Sequence, residues 1–240
     1  LQVCAHESEQ GLVLADAEVF ERRREKVEKE ASADPAKRPE AAAIARAAAV
    51  LETGASLRTE TWSAAELAAF RDLAPLTLKP VVWVVNVEEG ESGDDLVAAL
   101  GDLVPAGDTV VALSAEIEEE AARLEPEDRL ELLEGLGLGA GALAKVVGAT
   151  YDALGLISFY TLGPKEAHAW TVCRGTTARS AAGKVHSDLE RGFIRAEVTG
   201  MDAVLEHGGW DGAKAAGSVR LEGRDYVVVE GDVLLIRFSV

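Results

Sequence analysis

Pro80-Val81-Val82-Trp83-Val84-Val85-Asn86 is apolar at every position after the proline until its last residue, with no alternation. A strand with one wet face alternates apolar and polar residues. An unbroken Val-rich run suits a strand covered on both faces, as in a parallel α/β sheet. Thr109-Val110-Val111-Ala112-Leu113-Ser114 repeats the pattern. Between the two, residues 94–103 can form the crossover helix of a strand–helix–strand unit, which is normally right-handed.

Working outward, residues 12–33 read as a helix, because Val13, Phe20 and Val27 recur at seven-residue spacing among Glu, Arg and Lys. Asp34-Pro35 breaks it, since proline lacks an N–H and disfavours helix in the residue before it. A second, alanine-rich helix spans about 39–53, with Ile44 and Leu51 on one side and Gly54 at its end. The pair predicts an antiparallel hairpin, a spacer or docking arm without a catalytic constellation. Ser63-Ala64-Ala65-Glu66 has the form of a capping box and starts a short helix. Helices near 116–124, 126–135 and 140–153 follow the second apolar run. From Leu156 the pattern changes to short strands near 156–161, 167–173, 193–199, 225–230 and 233–239 around a helix near 178–186. A mixed sheet wrapped on one helix is a β-grasp arrangement.

Composition bounds the function. The chain has 240 residues, 48% of them hydrophobic and 28% charged, enough for one large or two small cores. No stretch has the apolar length needed to span a bilayer, and Leu1 to Gln10 lack the form of a signal peptide. Cys4 and Cys173 have no paired spacing, which argues against disulfides and zinc. A soluble cytoplasmic protein is expected. The net charge of −18 is uneven: residues 1–151 carry 14 Lys+Arg against 30 Asp+Glu, and residues 152–240 carry 10 against 12. The first part repels phosphates, whereas the second can present a local basic face.

One string follows no periodicity: His186-Ser187-Asp188-Leu189-Glu190-Arg191-Gly192-Phe193-Ile194-Arg195-Ala196-Glu197. With Gly163-Pro164-Lys165-Glu166 leading to Ala169-Trp170-Thr171, Arg174-Gly175-Thr176-Thr177-Ala178, and Leu221-Glu222-Gly223-Arg224-Asp225-Tyr226 ending in Gly231-Asp232, it closely resembles the TGS domain that closes the Obg-like ATPases of the YchF type. The resemblance runs from about Gly11 to Val240 and includes Leu14-Ala15-Asp16-Ala17-Glu18, similar to a helix of that family. It implies α/β plus α+β architecture in four parts. Residues 1–11 are an unassigned start, 12–75 an inserted coiled-coil hairpin, 76–153 the C-terminal part of a Rossmann-like G domain, and 154–240 a β-grasp TGS domain. It also implies a ribosome-associated protein that prefers ATP to GTP, with the ribosome or its large subunit as partner and with neither membrane nor DNA.

Asn86-Val87-Glu88-Glu89 lies where the first buried strand ends, and ligands of open α/β sheets bind beyond such ends. GTP-binding relatives place Asn-Lys-x-Asp here, whose Asp accepts hydrogen bonds from guanine. The YchF-type motif is Asn-x-x-Glu, matched by Asn86 and Glu89. By resemblance, Asn86 contacts the base and braces the neighbouring loop, Val87 packs on the base, and Glu89 replaces the guanine-reading Asp. The next strand ends in Ser114-Ala115-Glu116-Ile117-Glu118, where the backbone N–H groups of Ser114 and Ala115 would meet the base.

The phosphate side is different. Gly-x-x-x-x-Gly-Lys-Ser/Thr does not occur: the single Gly-Lys pair, Gly183-Lys184, precedes Val185 and follows Ala178 at the other glycine position. No Asp-x-x-Gly segment follows a strand to hold Mg²⁺. The sequence therefore reads as a fragment or truncated product that does not hydrolyse ATP alone. Arg174, Arg179, Lys184, Arg191 and Arg195 form either a face for ribosomal RNA or solvated charge paired with Asp188, Glu190 and Glu197. His168, His186 and His207 are too scattered for a metal site. Cys173 is expected as a small core residue, and Phe159, Tyr160 and Trp170 as core side chains rather than stacking platforms for bases. The alternative to an ATPase part is a non-catalytic ribosome- or RNA-binding module that uses the hairpin and the TGS domain. A free-standing RNA binder leaves Asn86 and Glu89 without a purpose.

Overall fold

The computed structural model describes residues 2–88, 97–98, 104–105, 107–136, 141–163 and 166–239. The chain divides into two compact units, Leu1–Ala149 and Thr150–Val240.

In the first unit, helix α1 spans Gln2–Ala33 and α2 spans Arg38–Glu52. Helix α1 begins at Gln2 rather than at residue 12, so the unassigned start is helical from Gln2 onward. Val13, Phe20 and Val27 are buried against Ala43, Ile44, Ala47, Ala48 and Leu51. Alanine on α2 lets the two backbones approach, and the larger α1 side chains fill the seam. At the break, the Asp34 carboxylate accepts the Ala36 N–H at 2.9 Å, and Pro35–Lys37 form a 3-10 turn.

Helix α3, Ala64–Phe70, starts at Ser63 with the expected capping box. Phe70 packs edge-on against Phe20 and Trp62, with ring centroids 5.4 and 5.0 Å away. Arg46 lies 4.1 Å from the Trp62 ring and pairs with Glu66 at 2.8 Å. Hydrogen bonds from the Ser63 backbone and hydroxyl, then from Arg46, hold the Glu66 carboxyl down at about 2, against an ordinary 4.5.

Two buried acids fasten this arm. The Asp16 carboxylate accepts the N–H groups of Leu76 and Thr77 at 3.0 and 2.7 Å and the Thr77 hydroxyl at 2.7 Å. Arg58 forks onto Asp108 through two 2.8 Å hydrogen bonds and also meets Glu9 at 2.8 Å. The Trp83 indole donates to the same Asp108 at 2.8 Å.

Strands β1, Val82–Asn86, and β2, Thr109–Leu113, pair in parallel from Val82↔Thr109 to Asn86↔Leu113. The expected cover on both faces is incomplete: Val85 is buried, but Val84 is 50% exposed and β2 is half-buried throughout. The expected crossover helix 94–103 lies outside the described residues, apart from 97–98. Helices α4, Ala115–Ala122, α5, Pro126–Gly135, and α6, Gly141–Ala153, follow. Gly141 has φ +87°, and a Cβ there would sit 2.8 Å from Glu118 Oε1, so the start of α6 needs glycine.

The second unit is a five-stranded mixed sheet in the order β4-β3-β7-β5-β6. The strands are β3 (Leu156–Leu162), β4 (Ala167–Cys173), β5 (Phe193–Gly200), β6 (Arg220–Glu222) and β7 (Asp232–Phe238). The β3–β7 pair is parallel and the other pairs are antiparallel. Helix α7, Ala178–Val185, places Ala178, Ala181 and Ala182 against Ile157, Phe159, Val198 and Leu234. Three short helices went unread in the sequence: α8 (Ser187–Arg191), α9 (Met201–Glu206) and α10 (Trp210–Ala215). The strand expected at 225–230 is instead an arch touching α7's start through a Thr177↔Val227 bridge, and the paired segment is β6. Cys173 is exposed at the end of β4, not in the core.

Arg58→Ala should cost about 3–5 kcal/mol in urea unfolding, because Asp108 and Glu9 would stay buried without their cation. An effect below ~1 kcal/mol would refute the clamp. For Glu66, a folded-state value below the ordinary one means stability that is present above pH 4.5 and lost as pH falls toward 2. Glu66→Gln should therefore lower Tm at pH 7, and the gap from the parent should close between pH 4.5 and 2.

Candidate functional site

Parallel pairing brings the carboxyl ends of β1 and β2 side by side. Asn86 is the last residue of β1, and its Oδ1 accepts the Ala115 N–H at 2.8 Å. The Val87 N–H extends the ladder to the Leu113 carbonyl at 2.9 Å. Ser114 is buried at the end of β2, and its hydroxyl caps α4 by accepting the Ile117 N–H at 3.4 Å. The structure thus gathers Asn86, Val87, Ser114 and Ala115 at one end of the strand pair. Glu89 lies outside the described residues.

Asn86 is exposed, and its amide group divides its capacity. The oxygen is spent on Ala115, whereas the NH₂ brings two further donors. The Ala115 N–H expected to face a base is the one bound to Asn86, which braces the loop after β2.

The five candidate RNA-binding cations do not share a face. Arg179 and Lys184 ride on α7, over the sheet side that holds Ala196 and Val198. Arg174 pairs with Asp152 at 3.4 Å, and Arg191 pairs with Asp188. Arg195 precedes Ala196 on β5, so alternation turns it to the opposite side. There it stands in register with Arg237, beside Glu197. Glu197 accepts Arg237 Nε and Lys214 Nζ, each at 3.0 Å. The Lys214 hydrogen bond, then that of Arg237, holds its carboxyl below the usual range against the opposing effect of burial. Strand alternation was the signal that separates Arg195 from Arg179.

The histidines are dispersed as well. His168 stacks on Trp170 with ring centroids 4.3 Å apart, and His186 Nδ1 accepts the Asp188 N–H at 3.2 Å at the head of α8. Among the described residues, no group of three or more His, Cys, Asp or Glu is placed to hold a metal ion. None of the described helices is long and apolar enough to cross a membrane.

Fold and site define a mixed α/β protein whose two strand-end loops are tied to each other by an asparagine. The family model YchF-GTPase_C, described as "Protein of unknown function (DUF933)", matches residues 156–239. The ribosome-binding ATPase YchF of Escherichia coli O157:H7 is 39% identical over 232 residues, covering 95% of this chain and 64% of that protein. The Obg-like ATPase 1 of Saccharomyces cerevisiae is 33% identical over 207 residues, covering 84% of this chain and 52% of that protein. The solved structure of the Schizosaccharomyces pombe YchF GTPase superposes with a TM-score of 0.81 at 29% identity, over 95% of this chain and 64% of that one. The chain is homologous to the C-terminal part of the YchF proteins. It spans 64% of the length of the bacterial relatives it matches.

Asn86→Ala should free the Ala115 amide and raise its hydrogen-exchange rate about fivefold, the worth of one net hydrogen bond. Asn86→Asp, which keeps an acceptor, should exchange at the parent rate. Equal protection in all three proteins would show that the strap is not formed in solution.

Proposed function

We propose that these 240 residues are the base-reading and docking part of a cytoplasmic, ribosome-associated Obg-like ATPase. The observation that carries this reading is the Asn86–Ala115 hydrogen bond, which ties the loop after β1 to the loop after β2 where a base would lie. Residues 76–153 are then the C-terminal part of a Rossmann-like G domain and 12–75 its coiled-coil insertion. Residues 154–240 are a TGS domain, and the mixed sheet with α7 laid on it supports a β-grasp fold.

In this reading the Asn86 NH₂ donates to a ring acceptor of adenine, and Val87 packs on the base. Glu89, in place of the guanine-reading Asp, favours ATP over GTP. Ser114 fixes the second loop through its cap on α4. The relatives' name, ribosome-binding ATPase, supports the ribosome as partner.

The residues fit the base of ATP but not its triphosphate with Mg²⁺. No Gly-x-x-x-x-Gly-Lys-Ser/Thr occurs among the 240 residues, so no backbone cradle or Lys of that kind meets the phosphates. No hydrolytic step is therefore assigned to them. The second reading, a non-catalytic ribosome- or RNA-binding module, shares the docking surfaces and gives Asn86 a purely structural role.

The 240-residue chain should pellet with 70S ribosomes through a sucrose cushion and bind ATP more tightly than GTP by calorimetry, without phosphate release. Asn86→Ala should abolish the ATP preference and leave pelleting unchanged. Phosphate release that tracks chain concentration and disappears in Asn86→Ala would overturn the non-hydrolytic assignment. Absence of pelleting would overturn the docking role.

A further inference from the structure

We infer that the sheet face opposite α7 binds single-stranded RNA, with an unpaired guanine seated in the cleft beside Trp210. The inference deepens the ribosome-docking reading and rests on it for the choice of RNA.

The cleft measures about 360 Å³ and is lined by Leu162, Trp210, Asp211, Val233 and Leu235, among others. That lies in the size range of small-molecule pockets. Its construction is specific. Gly208 and Gly209 have φ of +70° and +129°, where side chains are strained. A Cβ on Gly212 would lie 1.9 Å from the His207 carbonyl oxygen. Gly208 and Gly209 make the tight turn between α9 and α10, and Gly212 within α10 lets that helix lie against the turn, which sets Trp210 at its start.

Trp210 also differs from the other tryptophans. Trp62, Trp83 and Trp170 each donate their indole N–H, to the Leu57 carbonyl, Asp108 and Thr161. Trp210 is half-buried, yet its N–H has no hydrogen-bond partner among the described residues. That N–H is not among the buried, unpartnered side-chain atoms of the described residues, so it is open to solvent and to a ligand. Asp211 is exposed and forms no ion pair among the described residues. The cleft therefore combines apolar walls, an aromatic surface, one N–H donor and one carboxylate.

Cations stand beside it. Leu235 lines the cleft, and Arg237 lies two residues further along β7 on the same face, about 7 Å away. Arg195 is directly across from Arg237, and like charges opposite each other in a sheet are unfavourable by themselves. Glu197 is engaged by Arg237 and Lys214, and Arg195 has no carboxylate partner among the described residues. Two cations thus share one carboxylate next to Leu235 of the cleft, and a third, Arg195, stands across from Arg237. An aromatic platform next to backbone-tracking cations is how proteins hold single strands. Duplex bases are stacked away from such a site, whereas splayed bases of single strands reach it. The carboxylate selects guanine, whose ring N–H and exocyclic amine present two adjacent donors. Adenine lacks that pair.

Fluorescence anisotropy with labelled ten-nucleotide RNAs tests this on the full 240-residue chain. An all-A strand carrying one central G should bind about tenfold more tightly than all-A RNA. Asp211→Asn should bring that ratio close to one while all-A binding stays unchanged. Arg195→Gln should weaken both RNAs equally and reduce the salt slope by about 0.7. Quenching of tryptophan fluorescence by the G-containing strand should disappear in Trp210→Phe. All three variants alter exposed or half-buried side chains, and their far-UV spectra should match the parent. No preference for G in the parent, an unchanged preference in Asp211→Asn, or tighter binding to a duplex of the same sequence would overturn the inference. If any of these occurs while ribosome pelleting persists, the docking reading stands and the RNA cleft falls. If pelleting is absent while the G preference holds, the reverse is true.

Discussion

The first unit is organised around one buried cation. Arg58 is 8% exposed at its side chain, and Asp108 is 4% exposed. Burial opposes the charge, but hydrogen bonds to Asp108 and then Glu9 outweigh it and hold the guanidinium above its ordinary pKa. The fork geometry matters because lysine offers a point charge and cannot make two parallel bonds. Through this contact the start of α1, the turn at 57–59, Trp83 on β1 and the entry to β2 become one body. Desolvation makes such a cluster a poor source of net stability and a strong source of specificity, since any other arrangement of these segments leaves a charge unpaired.

In the second unit the equivalent constraint is neutral packing framed by polar pins. Asp232 is 2% exposed, and its carboxylate accepts the Tyr226 hydroxyl at 2.8 Å and the Val229 N–H at 3.0 Å. These bonds fold the arch of residues 223–231 back on itself, and its Val228 closes the core over α7. At the other end, a Cβ on Gly192 would lie 2.1 Å from the Ser239 carbonyl oxygen, so glycine lets the β5 entry approach the end of β7. Gly183 is similarly close to the Glu190 carboxylate. The Gly-Lys pair in α7 is thus a packing feature between two helices.

How much of this was legible in the sequence depends on whether a residue's role is periodic or contextual. The seam of Val13, Phe20 and Val27, the Ser63–Glu66 box and strands β3, β4, β5 and β7 follow from spacing alone. The paired loops at Asn86 and Ser114 came from a motif and the order of two apolar runs. The Arg58 clamp was not legible, because Glu9, Arg58 and Asp108 are brought together by tertiary folding across about a hundred residues and have no common period. Helices α9 and α10 were missed because each has six residues, too short for a hydrophobic repeat. Gly208-Gly209 before Trp210 was their visible punctuation. Cys173 was misplaced because residues of β4 lie at the sheet edge, where alternation does not guarantee burial. The five cations were grouped by nearness in sequence, while strand pleating sends Arg195 to the far side.

The two fastenings of the first unit lie at opposite ends of the same strand pair. Asp108 immediately precedes β2 and holds Arg58, whereas Ser114 and Ala115 immediately follow it and meet Asn86. Trp83 and Asn86 are three residues apart on β1, so both strands take part in both contacts. At ~3.3 Å per residue, the clamp and the strap are separated by only about 17 Å of paired backbone. Moving the helical arm against the strand-end loops would require β1 to slide on β2, and a one-residue slip of that ladder turns every side chain to the wrong face. Val85 is the buried residue that such a step would expose. The arm is thus fastened to the same strand pair whose far end carries the Asn86 loop.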